Sequence, residues 1–247
     1  MISLNGTQVK PTIFPDGTSQ VWKLDRAAVR DDLNVVLWEF ESEAELFHVA
    51  QLKQLIDSMV KSSVVLSMPY LPYGRQDKAV GNFASFALNT FAHIINSLNF
   101  EQVNTVDPHS SMALELINNC AAIDPSYQIA NALEDVQGLV CYPDAGAADR
   151  YGKYINKLNQ VVFAKVREPL TGEILGLDTT DAVLPTSYLI VDDICDGGRT
   201  FIEAAKVLYA KGAKEVHLYI SHGIFSKGVQ VLRDAGIKRI FTYEGEV

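Results

Sequence analysis

The sequence predicts an α/β protein built as two halves, each a mainly parallel β-sheet flanked by helices. Three observations carry this expectation. Apolar runs of strand length alternate with amphipathic stretches of helix length along the chain. A polar stretch at 124–137, containing Pro125, separates two such series and sets the expected domains at 1–133 and 134–247. The length, 247 residues, suffices for two small domains with a core each.

Taken in order, strands are expected at 35–40, 63–68, 102–106, 139–142, 161–165, 188–191 and 216–220, where apolar residues cluster as they do in buried parallel strands. Helices are expected between them, at 44–59, 83–98, 111–118, 147–158, 200–211 and 228–234, where apolar and polar positions mix as on an amphipathic face. In such sheets ligands sit beyond the carboxyl ends of the strands. The residues just after each apolar run are therefore where chemistry is sought.

Composition narrows the function classes. Hydrophobic residues make up 48% and charged residues 21%, an ordinary balance for a soluble globular chain. No apolar run reaches the length of a membrane span, and the first residues lack the basic patch and apolar stretch of a secretory signal. Three cysteines without paired spacing fit a reducing compartment, so a cytoplasmic location is expected. A net charge of −9 argues against a nucleic-acid partner, which calls for Lys and Arg against phosphates. It leaves small phosphate ligands open, because those need only a local cluster of donors.

The clearest motif begins at Tyr188. An apolar strand delivers Asp192 and Asp193, then Asp196, then Gly197 and Gly198, with Arg199 and Thr200 opening a helix. Adjacent carboxylates repel, so their place at the end of an apolar strand needs a ligand: a pair of sugar hydroxyls or a water-bridged Mg²⁺. The two glycines let backbone N–H groups turn toward one point, and the helix behind adds its positive end, which together make an anion site. Thr200 adds a hydroxyl donor. A solvated acidic turn with a helix cap is the plainer account, and the clean apolar strand before it disfavours that account.

Four further segments hold polar groups suited to phosphate chemistry. After Met68 come Pro69-Tyr70-Leu71-Pro72-Tyr73-Gly74-Arg75-Gln76-Asp77-Lys78, in which Arg75 can grip a phosphate bidentately and Gln76 can hydrogen-bond a base or phosphate. A rigid proline-rich loop with a surface ion pair fits those residues equally well. After Val106 comes Asp107-Pro108-His109, and after Tyr142 comes Pro143-Asp144-Ala145-Gly146, where Asp144 also suits a helix N-cap. Lys165-Val166-Arg167 puts two cations on one side of a strand end by alternation, or is a solvated basic pair at a hairpin. Near the start, Phe14-Pro15-Asp16-Gly17-Thr18 reads locally as a turn.

The 188–200 pattern resembles the phosphoribosyl-diphosphate motif of the type I phosphoribosyltransferase fold. The 69–78 block resembles the ATP-site segment of the ribose-phosphate diphosphokinases, which simple phosphoribosyltransferases lack. The Phe14–Thr18 turn, Asp107-Pro108-His109, the Asp144 turn, Lys165-Val166-Arg167 and the stretch around His222 also resemble segments of that family, in the family's order. The resemblance implies two type I phosphoribosyltransferase-like domains, residues 1–133 on the ATP side and 134–247 on the ribose-phosphate side. It implies ATP binding by Phe14, Asp16, Arg75, Gln76, Asp77 and His109, with Phe14 and Asp16 acting across a subunit interface in a homo-oligomer, a dimer or a hexamer. It implies ribose-phosphate binding by Asp144, Asp192, Asp193, Asp196, Gly197, Gly198, Arg199 and Thr200, Mg²⁺ at His109 and Asp144, and transition-state stabilisation by Lys165 and Arg167.

The implied reaction moves a diphosphate from ATP to the anomeric hydroxyl of a phosphorylated ribose. A phosphoribosyltransferase and a non-catalytic regulatory homologue are the alternatives. The 69–78 block disfavours the first, and retention of Asp192, Asp193, Lys165, Arg167 and His109 disfavours the second. Two departures stand out. Thr18 replaces the family's usual Glu. The phosphate loop, usually Thr-x-Gly-Thr, here runs Gly197-Gly198-Arg199-Thr200, so one hydroxyl is gone and a cation has appeared. That change implies an acceptor whose 5-phosphate carries a substituent, such as ADP-ribose, beside ribose 5-phosphate itself.

Overall fold

The computed structural model describes residues 1–79, 81–155, 160–167 and 174–247, with the backbone alone at 165–167 and 174–175. The chain falls into two compact units, Met1–Ile123 and Asp124–Val247.

The first unit runs β1 (Ile2–Leu4), β2 (Thr7–Val9), β3 (Thr12–Ile13), β4 (Ser19–Gln20), β5 (Leu33–Trp38), α1 (Ala44–Met59), β6 (Ser63–Met68), α2 (Ala87–Ser97), β7 (Gln102–Val106), α3 (Met112–Leu116) and β8 (Cys120–Ile123). Its sheet has the order β2-β1-β5-β6-β7-β8. Strands β5 to β8 are parallel, and β1 runs antiparallel to both neighbours. Every second residue of β5 and β6 is buried: Val36 and Trp38, then Val64, Leu66 and Met68. They pack with Leu52 and Ile56 of α1 and Leu88 of α2. Strands β3 and β4 form a separate short hairpin.

The second unit runs α4 (Ser126–Val136), β9 (Leu139–Tyr142), α5 (Ala145–Tyr151), β10 (Val161–Val162), β11 (Ala164–Arg167), β12 (Ile174–Asp178), β13 (Ser187–Cys195), α6 (Arg199–Ala210), β14 (Glu215–Gly223), α7 (Gln230–Asp234), β15 (Ile237–Thr242) and β16 (Gly245–Glu246). The sheet order is β10-β9-β13-β14-β15-β16, parallel but for β16. Strand β13 is buried on both faces. Tyr188 and Ile190 join Phe201, Ala204 and Leu208 of α6, while Leu189 and Val191 join Ile129 and Ala132 of α4 and Ala147 of α5. That double burial is why the run reads as continuously apolar. Strands β11 and β12 form an antiparallel hairpin beside the sheet.

The expected α/β class, with two mainly parallel sheets flanked by helices, is what the chain adopts. Strands at 63–68, 102–106 and 139–142 and the helix at 44–59 fall where the pattern put them. Four expectations are corrected. The stretch at 124–137 is largely helix α4, because Ile129, Ala132 and Val136 bury an apolar stripe against Val140, Leu189 and Val191. The two compact units divide along the chain between Ile123 and Asp124, while the sequence reading drew its domains at 133/134. The strand expected to stop at Val191 runs to Cys195, because β14 keeps pairing with it: Asp192 opposite Ile220, Ile194 opposite His222 and Cys195 opposite Gly223. The strand expected at 161–165 breaks at Phe163 into β10 and β11. The helix expected at 147–158 spans Ala145–Tyr151, and 156–158 lies outside the described residues. Among the described residues, no helix is long and apolar enough to cross a membrane.

Leu66 is fully buried in the central β6 of the first unit. Leu66→Ala is expected to remove about 2–5 kcal/mol of stability, read from a shift of the urea unfolding midpoint. A loss well under 1 kcal/mol would show that this sheet is not the core of its unit.

Candidate active site

In the first unit the chemistry-bearing residues collect at the carboxyl ends of β6 and β7. The Pro69 carbonyl accepts from the Val106 amide at 3.0 Å and the Thr105 hydroxyl at 3.2 Å, so the loop leaving β6 starts pinned to the end of β7. A Cβ on Gly74 would lie 3.7 Å from the Cβ of His109, so the 69–78 loop and the Asp107-Pro108-His109 turn are packed together. Two residues without glycine's freedom hold this shape in left-handed conformations, Tyr73 at φ 64° and the buried Asp107 at φ 38°. Tyr73 is anchored. Its hydroxyl donates to Glu43 at 2.7 Å and its ring packs 5.3 Å from Phe91. Burial, then the Glu43 carboxylate, push the Tyr73 phenol up to about 12. Arg75 and Gln76 stand exposed beyond this anchor, Asp77 and His109 are half-buried, and the Gln76 carbonyl accepts the Leu88 amide at the start of α2. The sequence motif showed the loop. The anchoring role of Glu43, 30 residues before Tyr73, had no signal in it.

Phe14 and Asp16 occupy the turn joining β3 to β4. The Gly17 amide donates to the Phe14 carbonyl at 2.9 Å, and Gly17 takes φ 84°. Thr18, which departs from the family pattern, has a local task. Its hydroxyl donates to the Asp16 carboxylate at 2.7 Å and its amide at 3.0 Å, and both hold Asp16 below the usual carboxylate range. The turn borders an open groove of about 670 Å³ against α1, lined in part by Phe14, Thr18, Gln20, Phe47, Gln51 and Leu55.

In the second unit β13 carries the acids. Asp193 follows the parity of Leu189 and Val191 and turns to the α4–α5 face, where it is buried and ion-pairs with Arg150 of α5 at 2.9 Å. No sequence signal linked Arg150 to Asp193, since the two lie 43 residues apart. Asp192 precedes it, and its own carboxylate accepts the Asp193 amide at 3.0 Å. Asp144, at the end of β9, caps α5 by accepting the Ala147 amide at 3.0 Å, so the N-cap role holds. Three carboxylates thus feel one another. Burial, then the charge of Asp193 and that of Asp144, push the Asp192 carboxyl well above its ordinary range.

Beyond β13 the chain turns into α6 through Asp196, Gly197 and Gly198. Gly198 adopts φ 77°, and a Cβ there would meet Leu232 of α7 at 2.7 Å, so only glycine fits without movement. Gly198, the N-cap of α6, has no side chain to cap the helix. Thr200 is half-buried in that turn. Arg199, the cation the motif presented, reaches along the exposed face of α6 to Glu203 at 2.8 Å. Lys165 and Arg167 fall on β11, whose ladder with β12 carries a bulge between Val166 and Arg167, and their side chains lie outside those described. Among the described residues, no three His, Cys, Asp or Glu side chains form a group able to hold a metal.

A carboxyl whose pKa is raised on folding binds its proton more tightly when folded. Its ionised form therefore opposes folding near neutral pH, and the opposition is relieved as pH falls through the raised value. Asp192→Asn is expected to raise the melting temperature near neutral pH and to flatten the gain in stability on acidification. A lower melting temperature in the variant would contradict this reading of the acid cluster.

No protein-family model matches the chain. Relatives do match it along nearly its whole length. The ribose-phosphate pyrophosphokinase of Saccharolobus solfataricus is 26% identical over 97% of this chain and 85% of its own. That of Sulfolobus acidocaldarius is 26% identical over 95% of this chain and 83% of its own, and that of Pyrococcus abyssi is 27% identical over 92% and 81%. Among solved structures, the phosphoribosylpyrophosphate synthetase of Mycobacterium smegmatis shares the fold, with a TM-score of 0.78 at 17% identity over 95% of this chain and 79% of that one. The chain is thus similar to ribose-phosphate pyrophosphokinases along nearly its whole length and shares the fold of a phosphoribosylpyrophosphate synthetase.

Proposed function

We propose that the chain transfers the β,γ-diphosphate of ATP to the anomeric hydroxyl of a ribose 5-phosphate unit and releases AMP. The observation that carries this reading is the end of β13. There a buried parallel strand presents Asp192 and Asp193 directly before the glycine-opened start of α6, in a chain similar to ribose-phosphate pyrophosphokinases over nearly all its length. Paired carboxylates accept hydrogen bonds from adjacent sugar hydroxyls, and a helix start receives a phosphate.

In this reading the ribose 2- and 3-hydroxyls rest on Asp192 and Asp193, with Arg150 positioning Asp193, and the 5-phosphate on residues 196–200. Arg75, Gln76, Asp77 and His109 of the first unit take the ATP phosphates and base. Phe14 and Asp16 of a second subunit meet the adenine, which makes the working form a homo-oligomer. The anomeric oxygen attacks the β-phosphorus in line, AMP leaves, and the hydroxyl proton passes to solvent. Lys165 and Arg167 neutralise charge on the transferred group. Positioning and electrostatics supply the catalysis without a dedicated general base.

His109 and Asp144 would each give Mg²⁺ a single ligand. That suits an ion held by one or two protein groups plus substrate phosphates and water. When bound, the ion would neutralise the phosphates of ATP. The acceptor is ribose 5-phosphate or a ribose whose 5-phosphate bears a substituent, such as ADP-ribose. Gly197 supports the second, because it leaves room where the family's loop carries a threonine hydroxyl.

AMP release from Mg²⁺-ATP is expected with at least one of ribose 5-phosphate and ADP-ribose, with the diphosphorylated sugar confirmed by mass. Release with neither would overturn the proposed reaction. Gly197→Thr is expected to shift preference toward ribose 5-phosphate, and an unchanged ratio would count against the role given to Gly197. Lys165→Ala should lower kcat about 100-fold or more while changing the acceptor KM little. Equal losses in both would make Lys165 a ground-state binding residue.

A further inference from the structure

The loop that follows β14 packs against the phosphate loop and brings a cation to it. The amides of Ile224 and Phe225 both donate to the Cys195 carbonyl, at 2.9 and 3.1 Å, so this loop is tied to the residue just before Asp196. Phe225 takes φ 49° and Gly228 φ 74°, and the Gly228 amide closes back on the Phe225 carbonyl at 2.7 Å. Lys227 rides on that turn. A Cβ built on Gly197 would stand 3.4 Å from Cε, 3.5 Å from Cδ and 3.8 Å from Cγ of Lys227. The lysine stem therefore lies across the open side of Gly197, where a residue with a side chain would place its own atoms. Arg199, two residues on, has its guanidinium on Glu203.

We propose that Lys227 is a specificity-determining residue for the acceptor, the cation that recognises the phosphoryl group on its 5-oxygen across Gly197. The inference rests on the proposed ribose-phosphate site and deepens it. A flexible ammonium on a backbone-anchored turn meets a phosphate as a point charge, with no fixed geometry. It tolerates a phosphate monoester or a diphosphate, which a threonine hydroxyl fitted to a terminal phosphate does not. Gly197 and Lys227 then form one device: the glycine clears the space and the lysine supplies the charge.

The test uses the full chain and direct binding of ribose 5-phosphate by calorimetry, beside AMP release. Lys227→Ala is expected to weaken ribose 5-phosphate binding and raise the acceptor KM about tenfold, with kcat and the KM for ATP little changed. Lys227→Arg should restore most of the loss, and Lys206→Ala, which removes the same charge from an exposed site on α6, should not reproduce it. Unphosphorylated ribose, used as acceptor at high concentration, should show no dependence on Lys227. Unchanged ribose 5-phosphate binding in Lys227→Ala, or a larger loss in Arg199→Ala, would overturn the proposal. The two readings fail separately. Lys227-dependent binding without AMP release would sink the proposed reaction and leave this inference standing. AMP release with an unaltered acceptor KM in Lys227→Ala would do the reverse. A wild-type chain that fails to bind ribose 5-phosphate overturns this inference, while AMP release with ADP-ribose would still uphold the proposed reaction.

Discussion

Strand β13 runs four residues past the end of its apolar core, and the second unit's site depends on that extension. Its ladder with β14 continues through Asp192 and Ile194 to Cys195, so backbone hydrogen bonds hold two carboxylates in regular strand geometry. One meets Arg150 of α5. The other stays close to Asp144 and Asp193 and pays for the crowding with a raised pKa. The same ladder brings β14 to Gly223, from which the next loop folds back and bonds the Cys195 carbonyl. A shorter β13 would free the acids, the glycine turn and that loop together.

The first unit reaches a comparable result with strained backbone. Tyr73 and Asp107 both adopt left-handed conformations where a side chain is a liability, and each sits in a loop leaving the end of a parallel strand. Packing around them over-determines the shape: the Tyr73–Glu43 hydrogen bond, the Tyr73–Phe91 ring contact and the donors gathered on the Pro69 carbonyl. The strain sets the exposed Arg75 and Gln76 on a fixed base, so their reach is determined by two side chains and not by a floppy loop.

Charge follows one logic across the second unit's site. Acids cluster where the proposed reaction places sugar hydroxyls and a hard cation. Lys227 lies where it places a phosphate, although the chain as a whole carries a net charge of −9. Burial pushes the neighbouring Cys195 thiol up to about 12, with Asp196 and Asp192 adding to the effect, so little thiolate is present near neutral pH.

The sequence by itself determined the α/β class, the positions of the central strands and the order of the motifs. Those features are written in short-range periodicity and in residues adjacent along the chain, such as Asp192-Asp193 or Arg75-Gln76-Asp77. Only the tertiary structure decided where β13 ends, since that depends on a partner strand about thirty residues away. It also made a helix of the polar stretch at 126–136, whose apolar stripe gains meaning only against β9 and β13. The pairings of Arg150 with Asp193, Tyr73 with Glu43 and Lys227 with Gly197 belong to the same class. Each joins residues 30 or more positions apart, where no local pattern records which side chain will meet which, and packing alone chooses the partner.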